Sequence, residues 1–304
     1  VGRIRELSSS TGPLLLEADT LVGRAPHCGV PLVDHRVSNE HAALRWRNKA
    51  WAVRDLGSTN GTWLNDKLIS SGSDHPLQVG DELAFGAKEL LWRFEEDGVP
   101  QPMLCRLDGE MRCELSDGVI VIPNVERSTA SVFRGADGSW TLEADDRVRS
   151  IAPGSVLEIG GATWRFSCPT QWQATVKTRS LRLVQESTLY FEVSSDEEHV
   201  ALSVATADGR LAMGNSSSYY LLLTLARIRD QERGSVAPSE AGWVHRESLI
   251  TMLRTGEQQL NVWVHRIRAR FSSKDFLDYA SIVERRDGTG QLRIGVERNV
   301  IQAA

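Results

Sequence analysis

Through its first 98 residues the chain is a string of short β-like segments. Leu14–Leu16, Leu21–Gly23, Ala42–Trp46, Trp51–Arg54, Thr62–Leu64 and Glu82–Phe85 are separated by turn signals about every ten residues. That spacing predicts an all-β sandwich. The polar, Gly/Pro-bearing run Glu95-Glu96-Asp97-Gly98-Val99-Pro100-Gln101-Pro102 then reads as a linker.

The pattern repeats beyond it. WAVRD at 51–55 resembles WTLEA at 140–144, and VGDELAFGAKELLWRF at 79–94 resembles PGSVLEIGGATWRF at 153–166. RWRNKAW at 45–51 matches RGADGSW at 134–140 in length and hairpin character. Residues 99–169 are therefore read as a shorter, diverged copy of residues 1–98.

After Pro169 the character changes. Strand-like pieces at Leu189–Val193, Val200–Thr206 and Leu211–Met213 precede helical stretches. Ser216–Arg229 has a serine able to cap a helix and an apolar face of Leu221, Leu222, Leu225 and Ile228. Arg246–Leu253 is a second stretch, broken by Thr255-Gly256. Leu260, Val264, Ile267 and Phe271 then form a helical stripe, and a hairpin follows: ASIVERR, the turn DGTGQ, and LRIGVE.

Length and charge bound the rest. A chain of 304 residues suits two or three domains, and a net charge of -5 argues against wholesale coating of nucleic acid. Residues 1–98 carry 11 basic and 14 acidic side chains, 99–169 carry 7 and 10, and 170–304 carry 17 and 16. Only the last third has a balance compatible with a polyanion. Cys28, Cys105, Cys113 and Cys168 form no CxxC pair and have no histidine at ligand spacing, which favours a reducing, cytoplasmic setting with no metal site and no cofactor. Apolar runs such as Tyr219–Leu223 are too short to span a bilayer, so no membrane partner is expected. No signal peptide is visible, and the start at Val1 rather than Met leaves room for an upstream segment.

Three motifs stand in order on the first β pattern: Gly23-Arg24, then Ser38-Asn39-Glu40-His41, then Asn60-Gly61 within GSTNG, followed by TWLN and VGDELAFG. Together they resemble the forkhead-associated (FHA) domain, over roughly residues 1–95. The resemblance implies a β-sandwich that binds phosphothreonine peptides through its loops. The chemistry agrees. A phosphate monoester needs a forked charged donor, here Arg24, and neutral donors that orient it, here the hydroxyls of Ser38 and Thr59. Asn60 can both donate to and accept from an extended peptide backbone, and Asn39 is a second peptide contact. The resemblance gives His41 the role of propping the loop that carries Ser38. Ser58 holds its own loop, while Gly23 and Gly61 permit backbone geometries that a side chain would block. Ser38 and His41, three residues apart, lack a partner carboxylate. No catalytic residue is assigned, and the chain is not read as an enzyme.

The second copy lacks these contacts. With Trp140 aligned on Trp51, Arg127 takes the Ser38 position and Ala130 the His41 position. The Gly-Arg position falls in IVIPN, and DDRV replaces the Ser-Thr-Asn-Gly loop with carboxylates that repel phosphate. It reads as a degenerate FHA-like sandwich serving as a spacer or a docking module.

Residues from about 185 to 300 resemble the winged-helix effector domain of response-regulator transcription factors, most closely in LNVWVHRIRARF (260–271) and IVERRDGTGQLRIG (282–295). The resemblance implies a third helix in the major groove and a hairpin wing at the adjacent minor groove. By position it makes Arg266 a base-edge contact, Arg268 and Trp263 phosphate or sugar contacts, and Arg293 the wing contact. Projection at about 100° per residue sets Val262, His265, Arg266 and Ala269 opposite the apolar stripe, with Arg268 and Arg270 on the flanks.

The expected architecture is multidomain: two all-β FHA-like sandwiches (1–98 and 99–169) followed by an α+β winged helix-turn-helix domain (170–304). The expected function is bacterial-type signal transduction: phosphothreonine-dependent regulation of transcription downstream of a Ser/Thr protein kinase. Its partners are a phosphothreonine-containing protein or the kinase, and double-stranded DNA. The alternative is an adaptor that binds no DNA, recruits phosphorylated proteins, and uses the winged helix for docking.

Overall fold

A computed structural model describes residues 1–9, 12–109, 111–135, 137–172, 182–195 and 199–303. Contacts divide the chain into two compact units, Val1–Glu114 with Pro153–Thr175, and Leu115–Ala152 with Val176–Ala304.

The first unit is all β among its described residues, apart from one short 3₁₀ turn at Thr170–Trp172. One sheet runs Leu14–Leu15, Gly2–Glu6, Leu91–Asp97, Glu82–Phe85, Thr62–Leu64, Lys67–Leu68. A second runs Val30–Pro31, Asp19–Gly23, Ala42–Arg47, Ala50–Asp55, His75–Pro76. Alternating residues of the two sheets bury a common core of Ile4, Val22, Leu44, Trp51, Val53, Leu83, Phe85 and Phe94, as sandwich packing requires. Asn48 and Lys49, both at positive φ, make the two-residue turn that sets Trp46 opposite Trp51. Arg112–Glu114, Met103–Arg106, Ala162–Ser167 and Val156–Ile159 form a further four-stranded sheet.

The second unit begins with an antiparallel meander of Val119–Ile122, Ala130–Arg134, Trp140–Ala144 and Arg147–Ile151. The strands of residues 99–169 thus belong partly to one unit and partly to the other. Asp145 and Asp146, at positive φ, form a tight hairpin turn, whereas the strand Ala50–Asp55 is followed by the long Gly-Ser-Thr-Asn-Gly loop.

A four-stranded sheet follows (Gly209–Asn215, Val200–Thr206, Thr188–Val193, Arg298–Ala303), with helices α1 (Tyr219–Gln231), α2 (Arg246–Met252) and α3 (Glu257–Ser272). Val283–Arg286 and Gln291–Ile294 form the C-terminal hairpin, whose second strand also pairs with Val244–His245. α1 starts three residues later than the sequence suggests, because Ser216 Oγ and Ser218 Oγ bond to each other at 2.8 Å and the first turn opens at Tyr219. The stripe Leu260, Val264, Ile267 and Phe271 is fully buried in the core of this unit, which also takes in Val119, Val121 and Phe133. Residues 173–181, where the composition changes after Pro169, lie outside the described residues.

Candidate phosphate-reading loops and a covered helix

The strand Asp19–Gly23 ends where its loop must meet the 38–40 loop. A Cβ on Gly23 would lie 2.2 Å from Asn39 O, so only glycine allows the approach. Main-chain bonds then lace the two loops: Arg24 N to Ser38 O at 2.9 Å, Ala25 N to Asn39 O at 3.1 Å, and His41 N to Val22 O at 2.9 Å. Arg24 is exposed; its Nε donates to Val37 O at 3.3 Å, and it makes no ion pair among the described residues.

His41 is wholly buried between this loop and the next. Its Nδ1 accepts from Ser38 N at 3.1 Å, and its Nε2 lies 2.9 Å from Gly61 O. A carbonyl can only accept, so Nε2 carries the proton and the ring is neutral. Burial pushes its pKa below the ordinary histidine value, against the opposing pull of the Gly61 carbonyl. With both nitrogens bound to backbone, the ring is a strut and has no nitrogen left for acid–base work.

The third loop is organised by a residue the sequence reading did not single out. Asp55, 2% exposed, accepts from Gly57 N (3.0 Å), Ser58 N (3.1 Å), Ser58 Oγ (2.5 Å) and Thr62 Oγ1 (2.8 Å). Burial raises the pKa of its carboxyl, but the bonds from Ser58 and Thr62 outweigh this and the net shift is downward. Ser58 Oγ in turn accepts from Gly61 N at 3.0 Å, and Gly61 has φ +86°. The available signal was an aspartate at a strand end two to three residues before Gly-Ser, an Asx-turn pattern.

The loops converge at Ser38. Its Oγ accepts from Thr59 N at 3.1 Å and lies 3.5 Å from Thr59 Oγ1. Asn60 Nδ2 donates to Arg36 O at 2.7 Å, tying the third loop to the second. Thr59, Asn60 and Asn39 are exposed and Ser38 is half-buried. Arg24, Ser38, Asn39, Thr59 and Asn60 thus lie on loops joined directly by hydrogen bonds. The assembly presents a guanidinium, two hydroxyls and two amides.

Residues 20–86 match the model of the FHA domain family. This segment is an FHA domain. It is similar to the FHA domain-containing protein FhaB of Mycobacterium tuberculosis, 40% identical over 76 residues, which cover 25% of this chain and 49% of that protein. It is also similar to the glycogen accumulation regulator GarA of the same organism, 37% identical over 90 residues (28% and 54%). The chain thus spans about half the length of the curated relatives it matches. Among solved structures, the N-terminal FHA domain of S. cerevisiae Rad53p in complex with a phosphothreonine peptide is 25% identical, with a TM-score of 0.28, over 31% of this chain and 90% of that one.

The second unit departs from the sequence reading at three of the four residues proposed to touch DNA. Arg268 is 2% exposed: Nη1 and Nη2 donate to the two Glu143 oxygens at 2.8 and 2.9 Å, Nε donates to Ala280 O at 3.1 Å, and Nη2 donates to Val283 O at 2.7 Å. Arg293 is largely buried, paired with Glu284 at 2.5 Å and stacked over the Trp243 ring at 4.4 Å. Trp263 is half-buried against the core. On the face projected outward, Val262 is buried and His265 and Ala269 are half-buried; Arg266 alone of the four is exposed. The helical projection is sound, but it cannot foresee that residues 115–152 pack on that face. Among the described residues no group of three or more metal-ligating side chains occurs, and no helix is long and apolar enough to cross a membrane.

Proposed function

We propose that this chain is a phosphothreonine-dependent signalling protein that acts in the cytoplasm, downstream of a Ser/Thr protein kinase. The observation that carries this is the hydrogen-bonded junction of Ser38 with Thr59, flanked by exposed Arg24 and Asn60, within an FHA domain. In this reading Arg24 supplies the charge-assisted fork to the phosphate. Ser38 and Thr59 orient it, and Asn60 with Asn39 reads the peptide backbone. Gly23, His41, Ser58 and Gly61 hold the loops. The test is calorimetry with the full chain and matched peptides. A phosphothreonine peptide should bind at roughly micromolar affinity, about 8 kcal/mol. Absence of heat from every phosphothreonine sequence in a degenerate library overturns the reading.

For output, the strand set, three helices and C-terminal hairpin support a winged helix that regulates transcription, with Arg266 as its exposed base-reading candidate. Residues 99–169 serve as a degenerate FHA-like repeat without a phosphate site. A second reading, a protein-recruiting adaptor, is favoured by one observation: Arg268 and Arg293 are already paired with carboxylates. Selection on a randomised duplex pool with the full chain decides between them. The full chain is required because Val119, Val121 and Phe133 belong to the same core as α3.

A further inference from the structure

The contacts between residues 115–152 and the α3–hairpin region are laid out as a closure over the surface a winged helix would present. Glu143, on the strand Trp140–Ala144, is 5% exposed and grips the Arg268 fork with both oxygens. The same carboxylate lies 3.0 Å from Arg285 Nε on the hairpin. At the tip of the meander, Asp146 pairs with Arg246 at the start of α2 (2.7 Å), and its carbonyl accepts from Gly288 N in the hairpin turn (2.8 Å). Asp287, in that turn, accepts from Val148 N at 2.8 Å. Asn261 on α3 donates to Ser128 O at 3.1 Å, and Tyr279 OH donates to Gly118 O. The third helix and the turn of the wing, the two parts of a winged helix expected to approach a duplex, each carry such contacts, while Arg266 stays exposed.

Two features distinguish this closure from ordinary core packing. First, its polar partners are chemically those of a nucleic acid. An arginine fork takes a carboxylate and a phosphate in the same bidentate geometry, so Glu143 fills the position of a backbone phosphate. Residues 115–152 carry six acidic and four basic side chains, a net negative cover on a basic helix. Second, the seam is bordered by clefts open to solvent: one of about 410 Å³ is lined by residues that include Arg127, Ser128, Glu143, Arg246, Asn261 and Arg285, and another of about 330 Å³ by residues that include Phe133, Trp243 and Arg268. Opposing this, Val119, Val121 and Phe133 are buried in the shared core, so the closed form dominates at rest.

We infer that residues 115–152 are a removable cover on the DNA-facing side of the second unit, with Glu143 holding Arg268 in place of a duplex phosphate. This rests on the winged-helix reading given above. The cover lowers the apparent affinity for duplex DNA by the fraction of molecules in which it is open.

The experiment uses the full chain and a randomised duplex pool at low salt, and compares wild type with Gly118→Ala, Asn261→Ala and Glu143→Gln. A Cβ at Gly118 would stand 2.5 Å from Ser272 Oγ and 2.9 Å from the Tyr279 ring, so the alanine wedges the cover at its edge. Asn261→Ala keeps every buried charge paired and reports even where Glu143→Gln unfolds the unit. Hydrogen exchange of α3 amides is read alongside the DNA dissociation constant. The expected result is faster α3 exchange and DNA binding tightened by about tenfold or more, with the two effects ranking the variants in the same order. Faster exchange with DNA affinity equal to a wild type that does bind overturns the cover and leaves the winged-helix reading intact. Faster exchange with no binding by any chain overturns the winged-helix reading itself. Unchanged exchange in all three variants shows that these contacts do not hold a cover closed, and overturns the inference.

Discussion

Thr59 N donates to Ser38 Oγ at 3.1 Å, and that one bond joins the loop entering the strand Ala42–Arg47 to the loop that links Ala50–Asp55 with Thr62–Leu64. The hydroxyl has a second task in the proposed complex, donating to the ligand. Ser38→Ala should therefore weaken phosphothreonine-peptide binding by about 1.5–3 kcal/mol, the value of a hydrogen bond to a charged group. Arg24→Ala should cost at least as much and leave the fold unaltered, since its Nε bond to Val37 O is a rim contact. Titration calorimetry checks both; a Ser38→Ala protein with wild-type affinity would remove this hydroxyl from the site.

Asp55 is the keystone of the third loop. Asp55→Asn keeps the shape but cannot accept all four of its bonds, because the amide nitrogen only donates. We expect about 1–3 kcal/mol of lost stability in the first unit, read as a lower urea midpoint. The pH dependence has a definite sign. The folded carboxyl titrates below its unfolded value, so its contribution is complete above the unfolded pKa and fades as pH falls through the folded one. Asp55→Asn should flatten the acid limb of the stability curve.

His41 acts at higher pH. Its pKa is lowered in the folded state, so the unfolded chain binds the extra proton first. Its support of the loops is complete above the ordinary histidine pKa and declines as pH drops below it. A protonated Nδ1 becomes a donor and faces the Ser38 N–H donor to donor. Peptide binding should weaken from neutrality toward pH of about 5.5, where the phosphate also becomes a monoanion. A phosphonate ligand, whose own titration differs, separates the two: the residual acid loss belongs to His41.

Glu143 sits among Arg268, Arg285 and Arg246, and although burial raises its carboxyl pKa, these cations bring the net shift below the ordinary range. Removing the charge strands the buried guanidinium of Arg268, so Glu143→Gln should destabilise the second unit by about 3–5 kcal/mol. Replacing Glu143, Arg268 and Arg285 together by apolar side chains of similar size should cost far less. Chemical denaturation followed by hydrogen exchange in α3 measures both; equal costs for the single and triple changes would refute a charge-pair role.

The three loops were legible through the family resemblance of Gly23-Arg24, Ser38 to His41 and Asn60-Gly61, short motifs read from adjacent residues, and hydrogen bonds join these loops in the structure. The stripe from Leu260 to Phe271 was legible for a similar reason: a helix of 3.6 residues per turn carries its own address for the core. Asp55 was hidden because an aspartate closing a strand looks like an ordinary solvated terminus. The fate of Arg268 was not local at all. Its partner Glu143 lies 125 residues earlier, on a strand whose alternation shows only that one of its faces is buried. The division of residues 99–169 between two units was invisible in the same way, since each strand reads alike whichever core it joins.

Asn60 already lends its amide hydrogen to Arg36 O at 2.7 Å. That bond fixes the plane of the amide, and if Asn60 meets the peptide, its carbonyl oxygen and its second amide hydrogen can both be offered without disturbing the loop. The site should then ask its guest for an N–H and a C=O at that register. Proline is the one residue that brings no N–H, so a proline there should bind more weakly however well the phosphate fits.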